Sequence, residues 1–97
     1  MEILKVKKIE DCLEGKNVWD LLLEKPITKG FIYHLGLLGK MIYQDFFPKP
    51  FFTLIVKGRF TIKGSEQNQT IRLLLPDDAD SSKEIEELRK YFKMFVE

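Results

Sequence analysis

The chain has 97 residues, enough for one domain and too few for two, so we expect a single domain over residues 1–97. Its net charge of +1 excludes a generally basic nucleic-acid binder and leaves only a local patch to attract phosphate. The single cysteine, Cys12, excludes an internal disulfide, and the charged N-terminus lacks the apolar run of a signal peptide. The most apolar window, residues 31–47, is too short and too polar to span a bilayer. We therefore predict a cytoplasmic protein with no membrane partner.

The N-terminal half of the sequence predicts one strand followed by two helices. Residues 2–9 alternate apolar and charged side chains, as a short strand does. Asn17, with Asp20 three residues later, resembles a helix cap before VWDLLLEK, and Pro26 would end that helix. Thr28 would cap a longer second helix, TKGFIYHLGLLGKMIYQDFF. Its apolar residues recur at helical spacing: Phe31, Leu35, Leu38, Ile42 and Phe46.

The second helix is apolar over most of its circumference. Such a helix is either central in the fold or covered by a partner chain. Gly30, Gly36 and Gly39 would each cost roughly 1 kcal/mol relative to alanine inside a helix. They favour either close backbone packing or a strand over Phe31–Leu35 with a later helix start, and the sequence leaves both alternatives open.

The C-terminal half predicts two strands and the clearest helix. PFFTLIVKGRFTIKG alternates over residues 51–63, and a polar turn then leads into TIRLLL. Pro76 closes this hairpin, and Ser82–Val96 shows a narrow apolar stripe opposite charged residues. The predicted fold is α+β, in the order β-α-α-β-β-α, with an antiparallel sheet of about three strands and helices packed on one face.

The uncovered face of such a sheet is the first candidate binding surface. Its predicted residues include four cations suited to phosphates and one ring suited to base stacking: Lys57, Arg59, Lys63, Arg72 and Phe51. Cations beside exposed rings are the pattern of single-stranded nucleic-acid platforms. The simpler interpretation is that these side chains are only solvated, since charged residues are mostly exposed.

A second copy of the chain is the other candidate partner. Four apolar residues of the second helix and the open face are candidates for self-association: Ile42, Phe46, Ile55 and Leu74. Twofold homodimers use one such patch twice. We predict a small, non-catalytic binding or assembly module that forms a homodimer. The alternatives are single-stranded nucleic-acid binding and a role as an accessory subunit of a larger enzyme.

The sequence gives no support for catalysis, a metal or a cofactor. His34 is the only histidine and lies in an apolar arc, which favours a core role over an acid–base role. Cys12 has no neighbouring histidine or second cysteine, so neither zinc binding nor thiol chemistry is indicated. The run Gly36–Lys40 lacks the spacing of a phosphate-binding loop. We predict no enzyme activity.

Overall fold

The computed structural model describes residues 1–46 and 48–96 as a β-rich α+β domain. Its elements in chain order are β1 (Ile3–Lys8), β2 (Val18–Leu23), α1 (Lys29–Gly36), β3 (Lys40–Gln44), β4 (Phe51–Val56), β5 (Phe60–Ser65), β6 (Thr70–Leu74) and α2 (Ser81–Lys93). The strands form one antiparallel sheet of six in the order β1-β2-β6-β5-β4-β3. The edge strands are therefore β1 and β3.

One face of the sheet packs with both helices into a single apolar core. Phe52, Leu54 and Ile62 from adjacent strands have no exposed surface. Phe31 of α1 and Phe92 of α2 are equally buried and meet edge to face, with ring centroids 5.1 Å apart. Each such side chain contributes roughly 1.5–3 kcal/mol when it leaves water. We call the opposite side of the sheet the open face.

The predicted sheet of about three strands is wrong, because the sheet has six. The first error lies at VWDLLLEK, predicted as a helix, which forms β2 between β1 and β6. Asn17 does not cap a helix there. Its amide nitrogen donates to the carbonyls of Pro76 and Ala79, at 3.0 and 3.1 Å, and its oxygen accepts from the Trp19 ring nitrogen at 2.7 Å. These bonds tie the start of β2 to the loop that precedes α2.

The predicted long second helix is also wrong, because it divides into α1 and β3. The helical alternative for residues 31–35 is correct, and the Thr28 hydroxyl accepts from the Phe31 N–H at 3.2 Å as a cap. The chain reverses after α1 because Gly39 passes close to β4. A Cβ at Gly39 would lie 2.5 Å from the Ile55 carbonyl oxygen, so a side chain there would collide with the backbone.

The predicted long strand over residues 51–63 is two strands joined by a tight turn. Gly58 takes a positive φ of 80°, and the Arg59 N–H donates to the Val56 carbonyl at 3.0 Å. Val56 then pairs with Phe60, so the alternation of faces continues through the turn. The observed order is β-β-α-β-β-β-β-α, which replaces the predicted order. Neither helix in residues 1–46 and 48–96 has the length and apolar character needed to cross a membrane.

Candidate interaction surfaces

Two of the predicted nucleic-acid contacts are neighbours on the open face, and both already bind carboxylates. Lys63 of β5 lies opposite Arg72 of β6, which lies opposite Asp20 of β2. Glu14, from the loop between β1 and β2, reaches Lys63 Nζ at 2.6 Å and Arg72 Nη1 at 3.4 Å. Arg72 Nε also donates to Asp20 at 3.0 Å. A phosphate would have to displace these carboxylates.

The charges in this cluster stabilise one another. The hydrogen bond from Lys63, with the positive charge of Arg72, lowers the pKa of the Glu14 carboxyl below its ordinary value of 4.5. The hydrogen bond to Asp20 raises the pKa of the Arg72 guanidinium. Such pairs contribute little stability at a surface, about 0–1 kcal/mol each. They still reduce the positive potential that an incoming phosphate would meet.

The other predicted contacts do not lie together on the open face. Arg59, in the turn between β4 and β5, pairs with Glu84 of α2 at 3.2 Å. Lys57 lies in the same turn, and Phe51 lies at the opposite end of β4. The residues predicted to hold phosphates and the ring predicted to stack a base therefore do not form one continuous row.

The predicted self-association residues are partly brought together. Ile42 and Ile55 both lie on the open face at the β3 side of the sheet, 38% and 36% exposed. Phe46 follows the end of β3 and is 73% exposed. Leu74 is on the same face but sits on β6, separated from Ile55 by Thr61 of β5, and is half-buried.

Sequence reasoning missed the helical part of this surface. Tyr33 of α1 and Leu37, the residue that directly follows α1, are 74% and 67% exposed. With Met41 and Tyr43 of β3 they line an apolar groove of about 410 Å³ between α1 and β3. The Tyr43 hydroxyl is anchored by donation to Glu66 at 2.8 Å, and this bond raises the Tyr43 pKa.

We define the β3 margin as the exposed apolar residues on this side of the molecule. They are Tyr33, Leu37, Ile42, Phe46 and Ile55. The alternation in KMIYQ, directly after Gly39, was the signal that could have revealed a strand here. The margin therefore combines Tyr33 of α1 and Leu37, which directly follows α1, with three residues from the sheet side.

The backbone of β3 faces outward at alternate residues, and the neighbouring strands show which ones. The Pro50 carbonyl accepts from the Glu66 N–H at 2.8 Å, so the even-numbered residues along β4 direct their backbone N–H and C=O groups toward β5. The odd-numbered residues of β4, which include Thr53, direct theirs toward β3. Thr53 pairs with Ile42, so the backbone groups of Ile42 point toward β4. The N–H and C=O groups of Met41 and Tyr43 consequently point away from the sheet. No strand within residues 1–46 and 48–96 pairs with that edge.

His34 occupies a structural position between the helices. Its Nε2 lies 2.9 Å from the Tyr91 carbonyl, which can only accept, so Nε2 carries the proton. The Tyr91 hydroxyl donates in return to the His34 carbonyl, and the two rings stack at 4.1 Å. No group of three or more His, Cys, Asp or Glu side chains that could hold a metal occurs among residues 1–46 and 48–96.

Comparison of the chain with protein-family models, with curated proteins and with solved structures found no match.

Proposed function

We propose that this protein is a non-catalytic assembly module that associates with a second copy of itself through the β3 margin. The observation that carries the proposal is the clustering of large exposed apolar side chains beside an edge strand with unpaired backbone groups. Tyr33 and Leu37 lie on the helical side of this edge, and Ile42 and Ile55 lie on the open face, so exposed apolar side chains border the edge on both sides. Large exposed apolar surface of this kind marks interaction sites. An exposed strand edge is itself a template for pairing with another chain.

The distribution of charge supports the same surface. The β3 strand has one charged residue, Lys40. The centre of the open face, in contrast, contains the ion pairs of Glu14, Asp20 and Arg72. Interface centres are depleted in charged residues and enriched in aromatic ones. The margin has this composition, and the ion-paired part of the sheet does not.

Binding of single-stranded nucleic acid is the rival function, and the contacts of its proposed residues count against it. Lys63, Arg72 and Arg59 each have a carboxylate partner. Salt-dependent binding requires cations that release counterions from phosphates. Cations already neutralised within the chain gain less from such an exchange.

The test is a charge placed at the centre of β3. We expect the wild-type chain of 11.5 kDa to sediment as a dimer at micromolar concentrations, and Ile42→Lys to weaken dimerisation at least about 100-fold, or about 2.8 kcal/mol. A lysine there must leave water or hold the two edges apart. Sedimentation equilibrium across a concentration series measures this change.

Leu13→Lys is the matched control, because Leu13 is fully exposed in the loop between β1 and β2 and is not part of the β3 margin. It should leave the dimer unchanged, and circular dichroism should show that both variants fold. A wild-type chain that stays monomeric at about 1 mM, an affinity corresponding to only about 4 kcal/mol, would contradict the proposal. Equal weakening by both variants would also contradict it.

A further inference from the structure

The geometry of β3 points to a specific way for two copies to meet. We infer that β3 of one copy pairs antiparallel with β3 of a second copy about a twofold axis through Ile42, and that the α1–β3 groove of each copy receives the α1 side chains of the other. The inference rests on the proposed self-association and names the surfaces that carry it. The two six-stranded sheets would then become one continuous sheet.

The outward backbone groups fit this register. Met41 and Tyr43 carry the N–H and C=O groups that face away from β4. With the axis through Ile42, Met41 of one copy lies opposite Tyr43 of the second copy, and the reverse holds on the other side of the axis. Each opposed pair exchanges two bonds, so the register makes about four hydrogen bonds. No other register centred on the strand satisfies all of these groups within β3.

The side chains fit the same register. Ile42 faces itself in a non-hydrogen-bonded pair, where Cα atoms approach to about 4.5 Å and side chains are closest. Lys40 lies opposite Gln44, so no like charges meet. Moving the register by two residues in either direction would place Lys40 opposite Ile42 or Met41 opposite Asp45. Either shift would remove the pairing of Ile42 with itself and place a charged side chain opposite an apolar one.

The groove follows from the symmetry of the pairing. A twofold axis perpendicular to a continuous sheet keeps the helical layers of both copies on the same side, with the two α1 helices antiparallel. Tyr33 of α1 and its C-cap residue Leu37 are about one helical turn apart, and both line the groove between α1 and β3. Lys29 at the start of α1 would approach the carbonyl end of the other α1, which is favourable for a cation.

These features favour a second copy of the chain as the partner, because one chain supplies both the strand edge and the apolar side chains beside it. Stable interfaces bury about 800 Å² on each partner, which an edge of five residues alone does not provide. The exposed Tyr33 and Leu37 supply additional apolar area next to that edge. An extended peptide of another protein would satisfy the edge but would leave these two side chains in water.

Disulfide trapping tests the register in a Cys12→Ser background. Ile42 and Ile55 are matched positions, on the same face and 38% and 36% exposed. Across the inferred axis the Ile42 residues meet at about 4.5 Å, within the range that a disulfide spans. The Ile55 residues are separated by at least three strand spacings, about 14 Å, which a disulfide cannot bridge. Under mild oxidation we expect Ile42→Cys to form a covalent dimer and Ile55→Cys to remain monomeric on a non-reducing gel.

Each other result of the trapping experiment overturns the inference. Crosslinking at Ile55 alone, or at both positions, indicates stacking of the open faces. No crosslink at Ile42 in a chain that sediments as a dimer shows another mode of association. No crosslink together with a monomeric mass overturns the proposed function as well, so the two failures are distinguishable.

Leu37→Glu tests the helical half of the interface, with Leu4→Glu as its control. Leu37 lines the groove and is 67% exposed, whereas Leu4 lies on β1 and is 58% exposed. We expect Leu37→Glu to weaken dimerisation about tenfold or more and Leu4→Glu to leave it unchanged. Equal behaviour of the two variants would show that α1 takes no part. Retention of the dimer by Leu37→Glu with strong binding of an added β3 peptide, residues 39–45, would assign the β3 edge to an extended peptide instead.

Discussion

The two edges of the sheet are protected very differently. β1 carries Lys5, Lys7 and Lys8 and has an irregular register after Ile3. Leu23 of β2 pairs with Ile3, but its N–H donates to the Gln69 carbonyl, away from β1. The Ile3 carbonyl therefore points to the outer edge of the sheet, where Arg89 of α2 donates to it at 2.8 Å. β3 has one lysine, a regular register, and no side chain donating to its outward carbonyls among the hydrogen bonds of residues 1–46 and 48–96.

Lysines, bulges and covering side chains are the means by which proteins prevent pairing between strand edges. Their presence on β1 shows that this small sheet has use for such protection. Apart from Lys40, these features are absent from β3 within residues 1–46 and 48–96, and β3 lies beside exposed Tyr33 and Leu37, as an edge reserved for pairing would show. The contrast within one sheet is more informative than the exposure of either edge alone, because both edges share the same solvent and the same core.

The largest effect in the comparison is expected at Gly39, which sets β3 against β4. A Cβ in Gly39→Ala would lie 2.5 Å from the Ile55 carbonyl oxygen, and the backbone cannot yield as a flexible side chain can. We expect the free energy of unfolding to fall by about 1–3 kcal/mol and dimerisation to weaken with it. Urea denaturation of the dilute monomer measures the first effect separately from the second.

Gly36→Ala is the control for this prediction. A Cβ at Gly36 would meet the Met41 side chain at 3.5 Å, an ordinary contact, and alanine is preferred in a helix by roughly 1 kcal/mol. This variant should be neutral or more stable than the wild type. If both alanine variants unfold at the same urea concentration, Gly39 does not make the close approach to β4.

A smaller effect is expected when the protection of β1 is removed. Lys5→Thr with Lys7→Thr keeps a strand-forming pattern but removes two positive charges from the exposed side of β1. We expect a second, weaker association that adds to the β3 dimer and produces species larger than a dimer in sedimentation velocity. Lys25→Thr with Lys90→Thr makes the same charge change at exposed positions outside both edge strands and should add no new species. Larger species from both double variants would indicate a general loss of solubility.

The sequence predicted the alternation of β4 and β5 well, because the turn around Gly58 preserves the parity of the two strands. The same continuity concealed the turn, so β4 and β5 were predicted as a single strand. The sequence did not predict β2 because Val18 and Leu21 are both buried, although they lie on opposite faces of the strand. A strand that is apolar on both faces lacks the alternation of apolar and polar residues by which strands are recognised. In the segment after Thr28, Ile42 fell on the helical arc by coincidence of spacing.

The candidate sites were limited by a different physical fact. A basic residue can be recognised in the sequence. Its carboxylate partner cannot be identified from the sequence when the two residues are far apart along the chain. Glu14 reaches Lys63 and Arg72, and Arg59 reaches Glu84, only because the sheet brings distant segments together. The outward backbone groups of β3 have no signature in composition at all, since they depend on which strand has no further neighbour.

The smallest effect is expected at Glu14, which covers the ion-paired part of the open face. Because Lys63 and Arg72 lower its pKa, the ionised carboxylate stabilises the folded chain above pH 4.5, and this stabilisation is lost as the pH falls through the lowered value. About a third of the side chain is exposed, so solvent screening limits the contribution to at most about 1 kcal/mol. Glu14→Gln should therefore be slightly less stable than the wild type at pH 7, and this difference should be smaller at pH 3 in urea denaturation.

Glu10→Gln, an exposed residue of the same loop, should show no such difference at either pH. The Glu14→Gln variant also tests the rival function, since it frees Lys63 and partly frees Arg72. If the open face binds single strands, anisotropy of a labelled oligonucleotide at about 50 mM salt should report tighter binding than for the wild type, and the gain should shrink at about 200 mM. We expect no binding by either chain at the lower salt concentration. The apolar edge would then be the surface through which this sheet meets its partner, and the charged part would be closed by its own loop.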